Sequence, residues 1–216
     1  MSFLKISGDL SGWNIYRKSA CVCDATEMFI RRAFPCQTRT VDQMRQAARS
    51  GKQNIVEGVT DSTVSMETGI KLIGVARGSL RELLEDYLDF LYQNDLKVWL
   101  LDDEITHRAR NFCRECDDRV EFRRKCAECT DEVVANLLIT ELRQLDAMLA
   151  SLLESMEEHF LTEGGLKESM YKARVEWRKA NLGFCPTSAQ FSTKICFQRK
   201  LCLTLQSKSA ARMVEW

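Results

Sequence analysis

Residues 42–59 read DQMRQAARSGKQNIVEGV, and the reading of this stretch decides the fold. It begins as an ordinary amphipathic helix, with Met44, Ala47 and Ala48 set against Arg45, Gln46 and Arg49. It then runs through Gly51 and Asn54, both poor helix formers, and closes on Glu57-Gly58. Gly51, Ala47 and Ala48 lack bulk, so a second helix can approach the backbone closely. Asn54 offers donors and acceptors, and Glu57 accepts several hydrogen bonds. About one turn apart, they share a face near the helix's C-terminal end. A carboxylate there opposes the helix dipole, which points to service for another element. The free amides at the start of the next helix, around residues 63–67, are the expected recipients. Gly58 is expected to supply a left-handed cap. The stretch therefore predicts a clamp between two helices.

Helical periodicity extends outward in both directions. Before the stretch, Ile15, Ser19, Val22, Thr26, Phe29 and Ala33 form a stripe over residues 13–34, stopped at Phe34-Pro35 because the residue before proline avoids helical dihedrals. Thr38 or Thr40 can cap the second helix, which is expected to run to about residue 58. Thr63 or Ser65 can cap a third, which carries Ile70, Ile73, Ala76, Leu80, Leu84, Tyr87 and Leu91 and ends near Asn94-Asp95. Residues 102–127 are charged throughout, with thin apolar support at Ile105, Phe112 and Val120, and predict either an insert helix or a loosely packed hairpin. A fourth long helix follows on Val134, Leu138, Leu142, Leu145, Leu149, Leu152, Met156 and Phe160, ending at Gly164-Gly165. Residues 166–180, LKESMYKARVEWRKA, form a short basic helix. Beyond Asn181 no period survives.

Four long helices without strand alternation predict an all-α chain, an antiparallel four-helix bundle with a charged helical insert, a C-terminal helical suffix and an irregular tail. The expected boundaries are 1–163 for the bundle, with the insert at about 102–129, then 164–181 for the suffix and 182–216 for the tail. Only two prolines interrupt 216 residues, of which 45% are apolar and 29% charged. Nothing resembles a secretory signal or a span of about 18 apolar residues, which reads as a cytoplasmic protein with no membrane partner. The ten cysteines are then reduced thiols.

The formal net charge is zero but unevenly placed. Residues 1–59 hold nine Lys/Arg against five Asp/Glu, residues 60–164 twelve against twenty-three, and residues 165–216 ten against three. Two basic ends flank an acidic middle. Either the basic parts meet phosphate or faces of opposite sign meet within and between subunits. Arg45, Arg49 and Lys52 lie on one face of the second helix, with Arg39 just before them and Asp42 the single acid nearby. These four cations are the candidate nucleic-acid-binding residues. The competing expectation pairs Arg45 and Arg49 with Glu82, Glu85, Asp86 or Asp89.

Other signals carry less. Cys113, Cys116, Cys126 and Cys129 form two CxxC pairs, weak candidates for a zinc site. On a continuous helix the thirteen-residue step separates the pairs by about 20 Å, so one ion would need a break near Asp117-Asp118. His107 and His159 lie on different elements without a nucleophile and carboxylate beside them, and no phosphate-cradling glycine loop is present, so no enzyme and no cofactor are expected. Gly74 and Gly78, four apart, are expected to mark close helix packing.

RTVDQMRQAARSGKQNIVEG followed by IKLIGVARGSLRELLEDYLDFL resembles the four helix bundle protein family, whose relatives include proteins encoded in intervening sequences of bacterial large-subunit ribosomal RNA genes and accessory proteins of diversity-generating retroelements. Gln43, Arg45, Ala47, Ala48, Ser50, Asn54, Ile55, Glu57 and Gly58 match the first signature of that family, and Ala76, Gly78, Ser79, Glu82 and Leu83 match the second. The resemblance covers roughly residues 13–180 and is strongest to the subgroup with a C-terminal suffix. It implies a bundle that assembles, in the better understood relatives, into a pentamer, and nucleic-acid or ribonucleoprotein association in place of catalysis. With Gly51 from the close-approach argument, the residues expected as structural motif or interface are Asn54, Glu57, Gly58, Gly78, Ser79 and Glu82. The partners expected are further copies of the chain and RNA, DNA or a ribonucleoprotein. The alternative is a protein–protein scaffold, and after it a zinc-stabilised module.

Overall fold

The computed structural model describes residues 13–34, 36 and 38–182. Among them the chain is all-α: α1 (Asn14–Ala33), α2 (Arg39–Ser62), α3 (Met66–Gln93), α4 (Glu104–Glu115), α5 (Arg119–Ala127), α6 (Asp131–Glu163) and α7 (Leu166–Leu182). The chain divides into two units at Leu166/Lys167; the first holds α1 to α6. None of the described helices is long and apolar enough to cross a membrane. The tail after residue 182 lies outside the described residues.

Local chemistry starts and stops the helices where side chains can satisfy free amides. Thr38 caps α2 by accepting from the Val41 amide, Ser65 caps α3 through Thr68, and Thr130 caps α6 through Val133. At the far end of α6, Gly164 takes a φ of 77°, the left-handed region open to glycine.

Helix α2 packs on α1 and α3, and α6 packs on α1 and α3, so their apolar stripes close on one core. Phe29 of α1 meets Tyr87 and Phe90 of α3 edge-on, with centroids 5.1 and 4.9 Å apart. The buried Tyr87 hydroxyl donates to Thr26 Oγ1 at 2.9 Å, and Thr26 in turn donates to the Val22 carbonyl. Arg77 and Arg81 of α3 both fork Asp146 of α6, and chiefly the Arg77 hydrogen bond holds that carboxyl down at about 2. Asn136 of α6 bonds the Lys97 carbonyl and the Trp99 amide, each at 2.8 Å, tying the connector after α3 to the core.

Glycine sets the α2–α3 contact. A Cβ on Gly51 would lie 2.6 Å from Leu80, one on Gly58 2.9 Å from Ile73, and one on Gly69 2.6 Å from Ser62 and 2.7 Å from the Gly58 carbonyl. At Gly58 and Gly69 the backbones themselves meet. Gly74 and Gly78 differ: nothing lies within 4 Å of a Cβ at either, so the packing role expected of that pair is not theirs.

The proposed clamp is corrected. Helix α2 continues past Gly58 to Ser62, so Gly58 caps nothing and instead sits inside the helix against α3. The Glu57 side chain is exposed and makes no hydrogen bond to a described residue. Of its expected recipients, the Thr63 amide bonds the Thr60 carbonyl and the Val64 and Ser65 amides bond the Asp61 carbonyl. Asn54 does participate, donating to Ser50 Oγ at 3.0 Å, and Ser50 lies 3.2 Å from Ser79 Oγ across the helix pair.

Candidate polyanion-binding surface

The charged insert folds as a hairpin of two helices. Asp118 breaks the chain after α4 and caps α5, its carboxylate accepting from the Val120 and Glu121 amides at 3.0 and 2.8 Å. Phe112 and Phe122 stack across the hairpin, 5.6 Å between centroids. Helix α5 buries only Phe122 and Cys126, four residues apart, and lies against α1. Arg124 stands opposite that apolar edge and Arg123 beside it, both exposed, whereas Arg119, three residues before Phe122 and seven before Cys126, shares the edge and reaches α1.

Beneath the hairpin is a buried ion pair. Lys18 of α1 (2% exposed) and Glu141 of α6 (0% exposed) meet at 3.1 Å, and Lys18 also donates to the Cys113 carbonyl of α4. Burial pushes the Glu141 carboxyl up, while Lys18 pulls it the other way. Further pairs tie the hairpin and its exit to α1: Arg17–Asp117 at 2.6 Å, Arg119–Asp24 through two parallel bonds of 2.8 Å, and Arg32–Asp131.

Between α1 and α5 runs a cleft of about 1080 Å³. Its walls carry five guanidinium groups, from Arg31, Arg32, Arg119, Arg123 and Arg124, over apolar patches of Met28, Val120 and Ala127; Asp24 and Glu27 are its acids. Glu27 accepts from Arg31 at 2.7 Å and from Arg45 of α2 at 2.9 Å. Burial pushes Glu27 up, but those two hydrogen bonds, Arg45 first, outweigh it and hold the carboxyl below its ordinary value. Arg124 lies between Glu121 and Glu128 at 2.7 and 2.6 Å. Arg123 is exposed and pairs with no carboxylate among the described residues.

The cations expected from sequence connect to this cleft in part. Arg45 reaches it through Glu27 and is also held by Asp42 at 3.1 Å, so its partners are on α1 and α2, not the acidic residues of α3. Arg39 and Arg49 are exposed on α2. Burial raises the Cys23 thiol of α1, and the charges acting on it include Lys52 from α2 and Arg119 from α5. Arg45 of α2, Arg31 and Arg32 of α1 and the α5 arginines thus form a basic band around the cleft.

The α5 arginines were absent from the sequence expectation. Summing charge over residues 60–164 hid them in an acidic average, although RVEFRRKCA alone holds four cations and one acid. The helical spacing of Phe122 and Cys126 was the signal that would have turned Arg123 and Arg124 outward.

A second groove, about 510 Å³, follows the α2–α3 seam and is lined by Gln43, Gln46, Ser50, Ser79, Glu82, Glu85 and Asp86. Burial, then the neighbouring Asp89 and Glu82 charges, pushes Asp86 up to about 6. Asn54 bonds Ser50 of this lining, whereas Glu57 and Gly78 are apart from it.

The break that a zinc site would need is present at residues 116–118, yet the thiols do not converge. Among the described residues no three His, Cys, Asp or Glu side chains are placed to hold a metal ion. Cys113 is buried with its Sγ toward the Leu137 carbonyl, and Cys116 faces the Asp118 carbonyl. Burial raises Cys126 to about 12 and Cys113 further. This geometry lends the zinc-stabilised reading no support.

Comparison with protein-family models, with curated proteins and with solved structures finds no match to this chain.

Proposed function

We propose that the chain is a non-catalytic, oligomeric helical-bundle protein that binds nucleic acid through the basic band across α2, α1 and α5. One observation carries the reading: five arginines from two helices line a single cleft, joined to Arg45 of α2 through Glu27. Guanidinium forks match phosphate oxygens, and a row of them favours a phosphate chain over an isolated anion. An antiparallel four-helix core is supported by contacts in opposite sequence order, Gly51 with Leu80 and Gly58 with Ile73, Lys18 with Glu141 and Arg32 with Asp131. The resemblance of the α2 and α3 signatures to the four helix bundle protein family supports assembly into several copies, which would multiply weak phosphate contacts.

The test is the double variant Arg31→Glu/Arg123→Glu against labelled RNA and DNA oligonucleotides, single- and double-stranded. Binding should fall about tenfold or more at low salt, with the helical signal unchanged. Equal binding by variant and parent would remove the cleft from the reading. Light scattering checks assembly, and a monomer would remove that part.

A protein–protein scaffold is the second reading, favoured by α7. Its Met170, Tyr171 and Trp177 are 57%, 70% and 63% exposed among Lys172, Arg174, Arg178 and Lys179. A partner helix with an apolar face fits Met170, Tyr171 and Trp177. A nucleic-acid-free complex whose affinity is little changed by salt would favour this reading.

A further inference from the structure

The cleft is basic, but most of its arginines are already engaged. Asp24 takes the Nε and Nη2 edge of Arg119 with two bonds of 2.8 Å, in the geometry a phosphate would take. Glu27 divides its two oxygens, Oε1 accepting from Arg31 Nε at 2.7 Å and Oε2 from Arg45 Nε at 2.9 Å. Both acids belong to α1 and line the cleft together with the cations.

Resting on the nucleic-acid reading above, we infer that Asp24 and Glu27 are its specificity determinants: built-in phosphate surrogates that only a chain of linked phosphates displaces. Each exchange swaps one carboxylate–guanidinium pair for one phosphate–guanidinium pair. A tethered carboxylate competes at the high local concentration of an intramolecular partner. A single free phosphate gains little from that exchange. A polyanion makes several exchanges with one loss of translational freedom and also engages Arg123, which pairs with no carboxylate among the described residues. The exposed pairs are weak enough for this to work, since such bridges contribute only about 0.2–1 kcal/mol each. The lining offers no aromatic side chain for stacking bases, which directs recognition to the backbone.

The experiment compares the full chain with Asp24→Asn and Glu27→Gln, titrated with a labelled oligonucleotide and, separately, with inorganic phosphate. Glu157→Gln, an exposed change near the end of α6, controls for net charge. Each cleft variant should bind the oligonucleotide about two- to fivefold more tightly, with a steeper salt dependence because a guanidinium has been released. The parent should not bind inorganic phosphate at millimolar concentration, and the control should match the parent. Glu27→Gln leaves the Arg119–Asp24 tie in place, so it answers even where Asp24→Asn loosens the hairpin. Oligonucleotide binding that is unchanged or weaker in both variants would overturn the inference while leaving the nucleic-acid reading standing. A gain shared equally by Glu157→Gln would also overturn it. Binding by neither parent nor variants would remove both.

Discussion

The α2–α3 seam and the α1–α5 contact bring helices together by opposite means. At the seam, side chains are missing: Gly58 and Gly69 let backbone meet backbone, and Gly51 admits Leu80. At the hairpin, side chains are long and charged: Lys18, Arg17, Arg119 and Arg32 reach acids on other elements. The first contact depends on shape. The second depends on charge, and its outer pairs can be exchanged for other anions. A glycine seam holds a fixed core, whereas an arginine contact can also serve as a binding surface.

The sharpest way to break the contrast is at Lys18. Substitution by Met leaves Glu141 buried without its cation, and denaturant unfolding should show a loss of about 3–5 kcal/mol. Glu141 without Lys18 has its folded pKa raised by burial, so the folded state binds the proton more tightly than the unfolded chain does. The deficit should then shrink as pH falls from about 8 to about 5. The double change Lys18→Met/Glu141→Leu should recover most of the loss. A single variant as stable as the parent would show that the pair is not buried as described.

The seam is tested by contrasting glycines. Gly69→Ala places a methyl 2.6 Å from Ser62 and 2.7 Å from backbone, and should cost about 1–3 kcal/mol at every pH and salt concentration. Gly78→Ala has open space and replaces glycine inside a helix, so it should stabilise by about 0.5–1 kcal/mol. Thermal unfolding of the two proteins separates them. Equal effects would erase the distinction between a crowded and an open glycine.

The same difference explains what was legible in the sequence. Close approach around Gly51 follows from composition and spacing within one stretch, and the α1, α3 and α6 stripes follow from their periods. The end of α2 did not follow, because Thr60, Asp61 and Ser62 extend the helix where Gly58-Val59 looked like its stop. Lys18 shows the harder limit. It stands three residues after Ile15 and four before Val22, so spacing places it on the buried stripe while its charge argues it outward. Glu141, 123 residues away, reverses that argument, and no local pattern shows it. The arginine cleft was hidden for the same reason: α1 and α5 contribute to it from nearly a hundred residues apart.

The central claim is that cations gathered between α1 and α5 meet a phosphate chain, and the salt dependence of oligonucleotide binding tests it most directly. Between about 50 and 200 mM salt, log affinity should fall linearly with log salt with a slope of about −2 or steeper, and Arg31→Glu/Arg123→Glu should flatten it by about 1 or more. An affinity indifferent to salt, or a slope identical in the parent and the double variant, would contradict the account.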